Sequence, residues 1–497
     1  MPRATDELSF VAKDVQVGGV TAYGAEDIRP LIIGLIGRRI GLADLVSAAD
    51  AIADRYQRDG YILTQAFVPA QSVADGVFRI QVIEGYIAAV QVKAEEGPAR
   101  RRVERLTAAL AQARPLKIER LEEALVTANQ TPGVSVSGLL RPSDTEPGAS
   151  DLIVTVATNP VIASLSTDNR GARSTGVWTI AADAVLRSPF DDGGQLTLDA
   201  TAAPDVNRRR SLQGKYQLPL TDDGLSLSLS GLVSHGEPAG TVQDLSLITD
   251  NQTYGVRVSY PLFADRQRKL VAEAGFAVQS ADVHALSAPF SHDDWREADM
   301  ALLYQDAASL QGVSSLSLDL VKGLPGLGAT PSGSATLSRP GSSTDFTKIT
   351  AALAHSRAIL GPFGLSVSVN GQYGFDRLVT GEEINFGGSG PGRGYDPGAL
   401  TGDSGIGAAT ELHYDVDADS LDLDRLQFYG LYDAAKVWLH DQGLPQSVLQ
   451  SVGGGVRFGL FDHLSLGVEF DHGLTALPTG DGVKRENKLL FNGSARF

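Results

Sequence analysis

The chain contains no cysteine. Disulfides and thiolate metal sites are therefore excluded, and nothing can mispair in an oxidising compartment. No run of about eighteen apolar residues occurs. The nearest, "IRPLIIGLIG", is short and followed by Arg38 and Arg39, which excludes a transmembrane helix. A basic excess is also missing. Asp and Glu number 59 against 42 Lys and Arg, a net charge of −17, which argues against nucleic acid as a partner. The start, "MPRATDELSF", has neither the apolar core nor the small-residue cleavage site of a signal peptide. Read literally, it places the chain in the cytoplasm; a removed export signal and a start placed too late are the other readings.

What is present falls into two textures over 497 residues, too many for one ordinary domain. Up to about residue 158, helix-period and strand-period segments alternate. "LSFVAKDVQVGG" reads as a strand. "GAEDIRPLIIGLIG" and "GLADLVSAADAIADRYQRDG" read as helices, the second with Leu42, Leu45, Val46, Ala49, Ile52, Ala53 and Tyr56 at helical spacing and Gly60 at its end. "YILTQAFVPA" and "GVFRIQVIEG" read as two strands. The order then recurs: strand "YIAAVQVKA", helices "ARRVERLTAALAQA" and "IERLEEALVTANQ", strands "GVSVSGLLRP" and "SDLIVTVAT". Two copies of a unit of about 75 residues form an internal repeat in pattern, though not in letters.

From about Val161 helical periodicity disappears. "GLSLSLSGL" puts Leu225, Leu227 and Leu229 on one face and Ser226, Ser228 and Ser230 on the other; "SLSLDLV", "LSVSVNGQYGF" and "LSLGVEF" do the same. Such alternation fits a soluble sandwich or a membrane barrel, and counting separates them. About sixteen strands are expected between 161–169 and 487–497, one of them over 363–385. The number is even, and the spans reach the nine to eleven residues a bilayer needs. Short turns such as "DDG" and "FDH" alternate with longer loops such as 235–249 and 323–344, as in membrane barrels. "KLLFNGSARF" alternates Leu489, Phe491, Gly493, Ala495 and Phe497 on one face. It reads as a terminal barrel strand with a lipid-facing side, signalled by Phe491 and Phe497, against the blander reading of a chain that merely stops in a strand.

"FGGSGPGRGYDPGALTGDSG", Phe386 to Gly405, carries eight Gly and two Pro around Arg393. Neither helix nor long strand suits such a run. It is either an exposed surface loop or a loop folded inward with Arg393 at its tip. Other signals carry less. "GDSG" at Gly402–Gly405 matches a serine-protease nucleophile loop but has no supporting cysteine or histidine context. "DVDADSLDLD", Asp415–Asp424, lacks the Gly and Glu of a calcium loop, with Ser420 and Leu426 in their places. "GPGRGYDPG" has the wrong spacing for a dinucleotide fingerprint, no Walker motif exists, and the eight His show no ligand spacing. "RRR" at Arg208–Arg210 reads as a lumen or rim feature.

Three separated stretches, in order, resemble the two-partner secretion transporters, outer-membrane pores of the hemolysin-activator and filamentous-hemagglutinin type. "GYILTQAFVPAQSVADGVFRIQVIEGYIAAVQV" is similar to that family's first-POTRA signature. "GRGYDPGALTGDSG" resembles the loop motif of the wider POTRA-barrel superfamily, and "FYGLYDAAKVW" the strand motif carrying its partner Asp. Gly392 stands where that loop motif usually has Val or Ile, and Ala435 where Gly usually follows the Asp.

The resemblance implies two α+β POTRA domains of β-α-α-β-β order, residues 1–85 and 86–158. A 16-stranded antiparallel transmembrane β-barrel over 159–497 would follow, with the loop 386–403 folded into its lumen. It implies a latch of Arg393, Gly394, Tyr395 and Asp433, with Arg393 paired to Asp433. Such a pair is worth about 0–1 kcal/mol if well hydrated, whereas losing one partner in a dry site costs roughly 3–5 kcal/mol. Tyr61, Gln71, Gly76 and Gly85 would take part in substrate docking on the first POTRA domain. The implied function is type V secretion of an unfolded adhesin- or hemolysin-like partner through the pore, with no catalytic residues, no cofactor and no metal. The implied setting is the outer membrane, POTRA domains in the periplasm, lipids around a monomeric barrel. A barrel-assembly factor of the same superfamily is the alternative, and a passive porin a third.

Overall fold

The computed structural model describes residues 9–497 apart from 74, 130–133, 147, 188–189, 191–192, 240–242, 308, 419–422, 441–446 and 480–481. Residues 1–8 of the expected first module and part of the Asp415–Asp424 stretch therefore lie outside the described residues. The chain forms two compact units, Met1–Asn159 and Pro160–Phe497.

The first unit is built twice on one plan. In the first module, strand Val77–Ile83 lies centrally, parallel to Asp14–Gly18 and antiparallel to Gln65–Phe67. Helix Ala25–Ile32 and helix Leu42–Arg58 cover one face. The longer helix buries Leu45, Ala49, Ile52 and Tyr56, one stripe at 3.6-residue spacing, against Val15, Phe78, Ile80 and Val82. The second module repeats this with Ser150–Thr158 central, parallel to Ile87–Lys93 and antiparallel to Val134–Pro142. Helices Pro98–Ala108 and Ile118–Asn129 supply Val103 and Leu121 to its core with Ile87, Leu152 and Val154. The expected strand "YILTQAFVPA" pairs only over Gln65–Phe67.

Glu84 is the polar centre of the first module. Its carboxylate accepts the Thr21 amide at 2.7 Å, the Ala22 amide at 2.8 Å and the Tyr56 hydroxyl at 2.5 Å, and it meets the Thr21 hydroxyl. Burial alone pushes the carboxyl up, but these donors reverse that and hold it below its ordinary value.

The second unit is a closed antiparallel barrel of sixteen strands. In chain order, barrel strands 1 to 8 are Val161–Asp168, Thr179–Arg187, Gln195–Ala202, Arg210–Pro219, Ser226–Gly236, Ile248–Ala264, Arg268–Ala285 and Ala288–Asp306. Barrel strands 9 to 16 are Val313–Gly323, Thr347–Leu360, Phe363–Gly374, Ser404–Val416, Arg425–Trp438, Ser447–Leu460, Leu464–Gly473 and Asn487–Arg496. Each strand pairs with its chain neighbours. Strand 16 closes on strand 1, Asn492 opposite Asp168 through Arg496 opposite Ser164. Outward positions such as Leu229, Tyr254, Leu302, Leu353, Phe428 and Phe470 are apolar and exposed. The intervening positions point inward and are mostly polar. Apolar outside and polar inside is the inverse of a soluble barrel and the pattern of a lipid-embedded one. Among the described residues, no helix is long and apolar enough to cross a membrane.

Two features depart from the expected pattern. Strand 11 ends at Gly374, not near 385. Strand 8 runs past its neighbour: only Glu297–Asp306 pairs with strand 9, and Ala288–Arg296 extends beyond. That free edge is met by the connection between strands 9 and 10. The His292 amide donates to Thr336 O, the Thr330 amide to Asp294 O and the Leu324 amide to Arg296 O, each at 2.8 Å.

Candidate functional site

Between strands 11 and 12 the chain leaves the wall for residues 375–403. Its middle is a short ladder, Ile384–Phe386 against Leu400–Gly402. The turn beyond that ladder reaches inward-facing side chains of strands 12 to 15, so the loop lies inside the barrel. Gly392 makes its tight turn possible. Its φ is +95°, and a Cβ there would lie 3.2 Å from Leu449 Cδ1 and from the Gly387 nitrogen. The usual Val or Ile would not fit this conformation. Gly394 is equally confined, since a Cβ would lie 3.1 Å from Ser451 Cβ.

Asp433, fully buried on strand 13, holds this turn through its backbone. One carboxylate oxygen accepts the Gly392 amide at 2.8 Å, the other the Arg393 amide at 3.3 Å, and the Ser451 hydroxyl donates to the same group. The expected side-chain pair of Arg393 with Asp433 is not formed. The Arg393 guanidinium turns instead to Glu469 at 3.4 Å and Glu411 at 3.6 Å. The reason is local. With both tip amides aimed at Asp433, its oxygens are occupied, and the longer arm reaches the acids of strands 12 and 15. Those acids already have partners. Arg457 binds Glu411 with both terminal nitrogens, at 2.6 and 2.8 Å. Glu469 takes Arg170 at 2.9 Å and the Tyr429 hydroxyl at 2.6 Å.

Tyr395 is fully buried, its hydroxyl between the carbonyls of Gln450 at 2.9 Å and Thr475 at 2.8 Å. Phe386, Tyr395 and Leu400 form a small apolar core with Ala435, Val437 and Leu449. Ala435, where Gly is usual, thus adds a methyl group to that core. Asp396 tethers the loop to the rim, through Lys488 at 2.6 Å and Arg173 at 3.0 Å. Burial pushes the Asp396 carboxyl up, but the two cations reverse this and hold it low.

The root of the loop has a second lock. Arg339, from the connection between strands 9 and 10, donates to Asp403 at 2.7 Å and the Leu378 carbonyl at 2.7 Å, and pairs with Glu383 at 3.0 Å. Asp403 is fully buried and also accepts the amides of Leu378 and His440, at 2.8 and 2.9 Å. Phe346, Leu378, Val379 and Trp295 pack beside it. Asp403 is the Asp of "GDSG", so that motif serves the loop root here. Sequence reasoning missed Arg339, Glu411, Ser451 and Glu469. For Glu411 and Glu469 the available signal was a charged residue at an inward position of an otherwise alternating strand; Arg339 and Ser451 carried none.

The remaining expected residues are placed as follows. Phe491 is exposed on the outer face, and its amide donates to the Asn169 side chain at 2.7 Å. Phe497 is exposed, and its amide extends the closing ladder to Ala163 O at 2.8 Å. Arg208 and Arg209 sit at the turn between strands 3 and 4 and Arg210 opens strand 4, with Arg209 on Thr179 at 2.5 Å. In the first unit, Tyr61 packs edge-on against Tyr23 and Tyr56, and Lys117 Nζ lies 5.1 Å from its ring centre. The Gly85 carbonyl accepts the Leu116 amide at 3.1 Å. Both residues thus occupy the joint between the two modules. Gln71 bonds both backbone groups of Arg79, at 2.7 and 2.9 Å, completing a sheet edge. Gly76, at φ +72°, makes the turn before strand Val77–Ile83 and accepts the Lys13 amide at 2.8 Å.

A closed barrel with a polar inner face carries its own loop against the inner side of strands 12 to 15. Preceded by two βααββ modules, it is the fold of the outer-membrane POTRA-barrel translocators. The profile described as "Haemolysin secretion/activation protein ShlB/FhaC/HecB" matches residues 148–458, and "POTRA domain, ShlB-type" matches residues 10–85. The chain belongs to this haemolysin secretion/activation family. It is 22% identical to the heme/hemopexin transporter protein HuxB of Haemophilus influenzae (strain 86-028NP) over 480 residues, 91% of this chain and 81% of that one. It is 22% identical to the outer membrane transporter CdiB of Escherichia coli, over 83% of this chain and 70% of that one. The solved structure of CdiB from Escherichia coli superposes with a TM-score of 0.74 at 20% identity, covering 100% of this chain and 92% of the other. The protein is therefore an outer-membrane transporter of two-partner secretion, with its POTRA modules in the periplasm, and it exports a partner exoprotein through the barrel. The family match also separates it from the assembly factors and porins that the sequence left open.

Proposed function

We propose that the loop 386–403 is the gate of this exporter and that Asp433 is its catch. An unfolded adhesin- or hemolysin-type partner docks in extended form on the POTRA modules, residues 1–85 and 86–158, along a free sheet edge or beside a helix. Tyr61, Gln71, Gly76 and Gly85 shape that docking module, while Phe491 and Phe497 mark the terminal strand for insertion into lipid. The barrel, residues 159–497, works as a monomer, an assignment supported by its full closure, which leaves no strand pair open for a second copy. It is a conduit and not an enzyme, and needs no cofactor. Its charged lumen groups hold the loop.

The observation that carries this reading is the Gly392 amide on buried Asp433, 2.8 Å away, with Gly394 against Ser451. The test uses the absence of native cysteine. Gly394→Cys with Ser451→Cys brings two Cβ atoms within a few tenths of an ångström of disulfide spacing. Secretion of the partner should stop on oxidation and return on reduction. Unchanged secretion from a fully oxidised pair would sink the gate.

A further inference from the structure

The distal part of the loop is attached to one side of the barrel only. Among the described residues, the hydrogen bonds and ion pairs that residues 384–402 make outside the loop go to strands 12 to 16, to Arg173 and to Thr475. None reaches strands 3 to 6. The two sides also differ chemically. The loop side presents Glu411, Asp433, Arg457, Glu469 and Asp471 from strands 12 to 15.

On strands 3 to 6, Leu198, Leu212, Leu229 and Val256 face outward and are exposed. The alternate positions therefore face the lumen, and they carry hydroxyls and amides: Thr197, Gln213, Gln217, Ser230, Thr253 and Ser259. The only charges in this series are Asp199, Lys215 and Arg257. Arg257 is turned away, paired at 3.0 Å with both Glu273 and Asp299 of strands 7 and 8.

We propose that the wall of strands 3 to 6 is the lane along which an extended, unfolded polypeptide passes, while the wall of strands 12 to 16 is the berth of the loop. The inference rests on the reading that the barrel conducts unfolded protein. Hydroxyls and carboxamides both donate and accept. They offer a sliding backbone the same contacts in every register. A fixed charge would retain every passing residue of opposite sign and repel those of its own, and conduction needs contacts weak enough to leave. With only Asp199 and Lys215, of opposite sign, left facing this lane, it holds cargo of either charge less than the acidic wall of strands 12 to 15 would.

The test uses the full-length protein in planar bilayers. The probe is an uncharged, unstructured Gly/Ser/Asn polypeptide of about forty residues added on the POTRA side. Thr253→Cys is then modified with a cationic methanethiosulfonate reagent, and Gln213→Cys, exposed to the lumen two strands away, repeats it. Ser317→Cys, inward on strand 9 between the outward Leu316 and Leu318, is the comparison. Modification at 253 or 213 should reduce polypeptide blockades about ten-fold, and modification at 317 should leave them unchanged. Blockades that persist unchanged after modification at 253 and 213 would overturn the lane, as would an effect confined to 317. A pore never blocked by the polypeptide, even unmodified, would instead overturn the conduction reading and the lane with it.

Discussion

Removing the Asp433 carboxylate should unlatch the loop far more than removing the Arg393 side chain. Asp433→Ala deprives three buried donors, the Gly392 and Arg393 amides and the Ser451 hydroxyl, of their acceptor. A hydrogen bond to a charged group is worth roughly 1.5–3 kcal/mol, and a buried donor left alone costs roughly 1–3 kcal/mol. Water can enter a polar lumen, so the low end applies: about 3 kcal/mol in total, or roughly a 150-fold shift toward the displaced loop. Arg393→Ala keeps its backbone amide on Asp433. It forfeits only contacts at 3.4 and 3.6 Å to acids that retain Arg170, Tyr429 and Arg457. Its cost is about 0–1 kcal/mol, at most about five-fold. The assay is open-state occupancy in single-channel recordings of both single variants and the double variant. Because the side chains do not meet, the two effects should add to within about 0.5 kcal/mol. Equal effects of the single variants, with a double variant no worse than either, would show a direct Arg393–Asp433 pair and refute this geometry.

Three other outcomes follow from the same structure. Gly392→Val restores the family's usual residue type yet forces it to φ +95° against Leu449, so it should cost at least about 1–2 kcal/mol and raise protease cleavage within the loop. Arg339→Ala strands the buried Asp403 at a cost of roughly 3–5 kcal/mol, seen as a lower temperature for the heat-induced mobility shift on gels, with Arg339→Lys recovering part of it. For Glu84, a carboxyl held low when folded binds fewer protons than when unfolded, so its stabilisation is full above its ordinary value of 4.5 and is lost as pH falls through the folded value. Urea unfolding of residues 1–159 should therefore show stability dropping in acid, and Glu84→Gln should lose roughly 2 kcal/mol at neutral pH and flatten that dependence.

The βααββ repeat was legible because both helices carry an apolar stripe and both sheets alternate. Tyr56, Ile52 and Leu45 can face only one core. The strand count was legible for the same reason. The error at 363–385 is instructive. Leu378 and Val379 continue an alternating apolar signal, but they are buried by Phe346 and Leu337 of the neighbouring connection, not by lipid. Period alone cannot tell these two apolar surroundings apart. The loop was legible from its glycines, and Asp433 from its motif. The partner of Arg393 was not. Asp433 and Glu469 both point inward, two strands apart, and only the turn at Gly392 decides which one the guanidinium meets. The lock at Arg339 was invisible for a related reason, since residues 339 and 403 meet only through the folding of two loops.

The stretch Ala288–Arg296 has a consequence of its own. An unpaired strand edge is a template on which any extended chain can grow by backbone pairing, and such edges seed fibres. An exporter brings unfolded chains past its own rim at every cycle. The connection between strands 9 and 10 lays its own carbonyls and amides along that edge at Asp294, Arg296 and His292. It makes the rim self-complementary before any passenger arrives. Deleting it would remove the Arg339 lock and, in the same stroke, convert the rim of the secretion pore into a nucleus for aggregation of what it secretes.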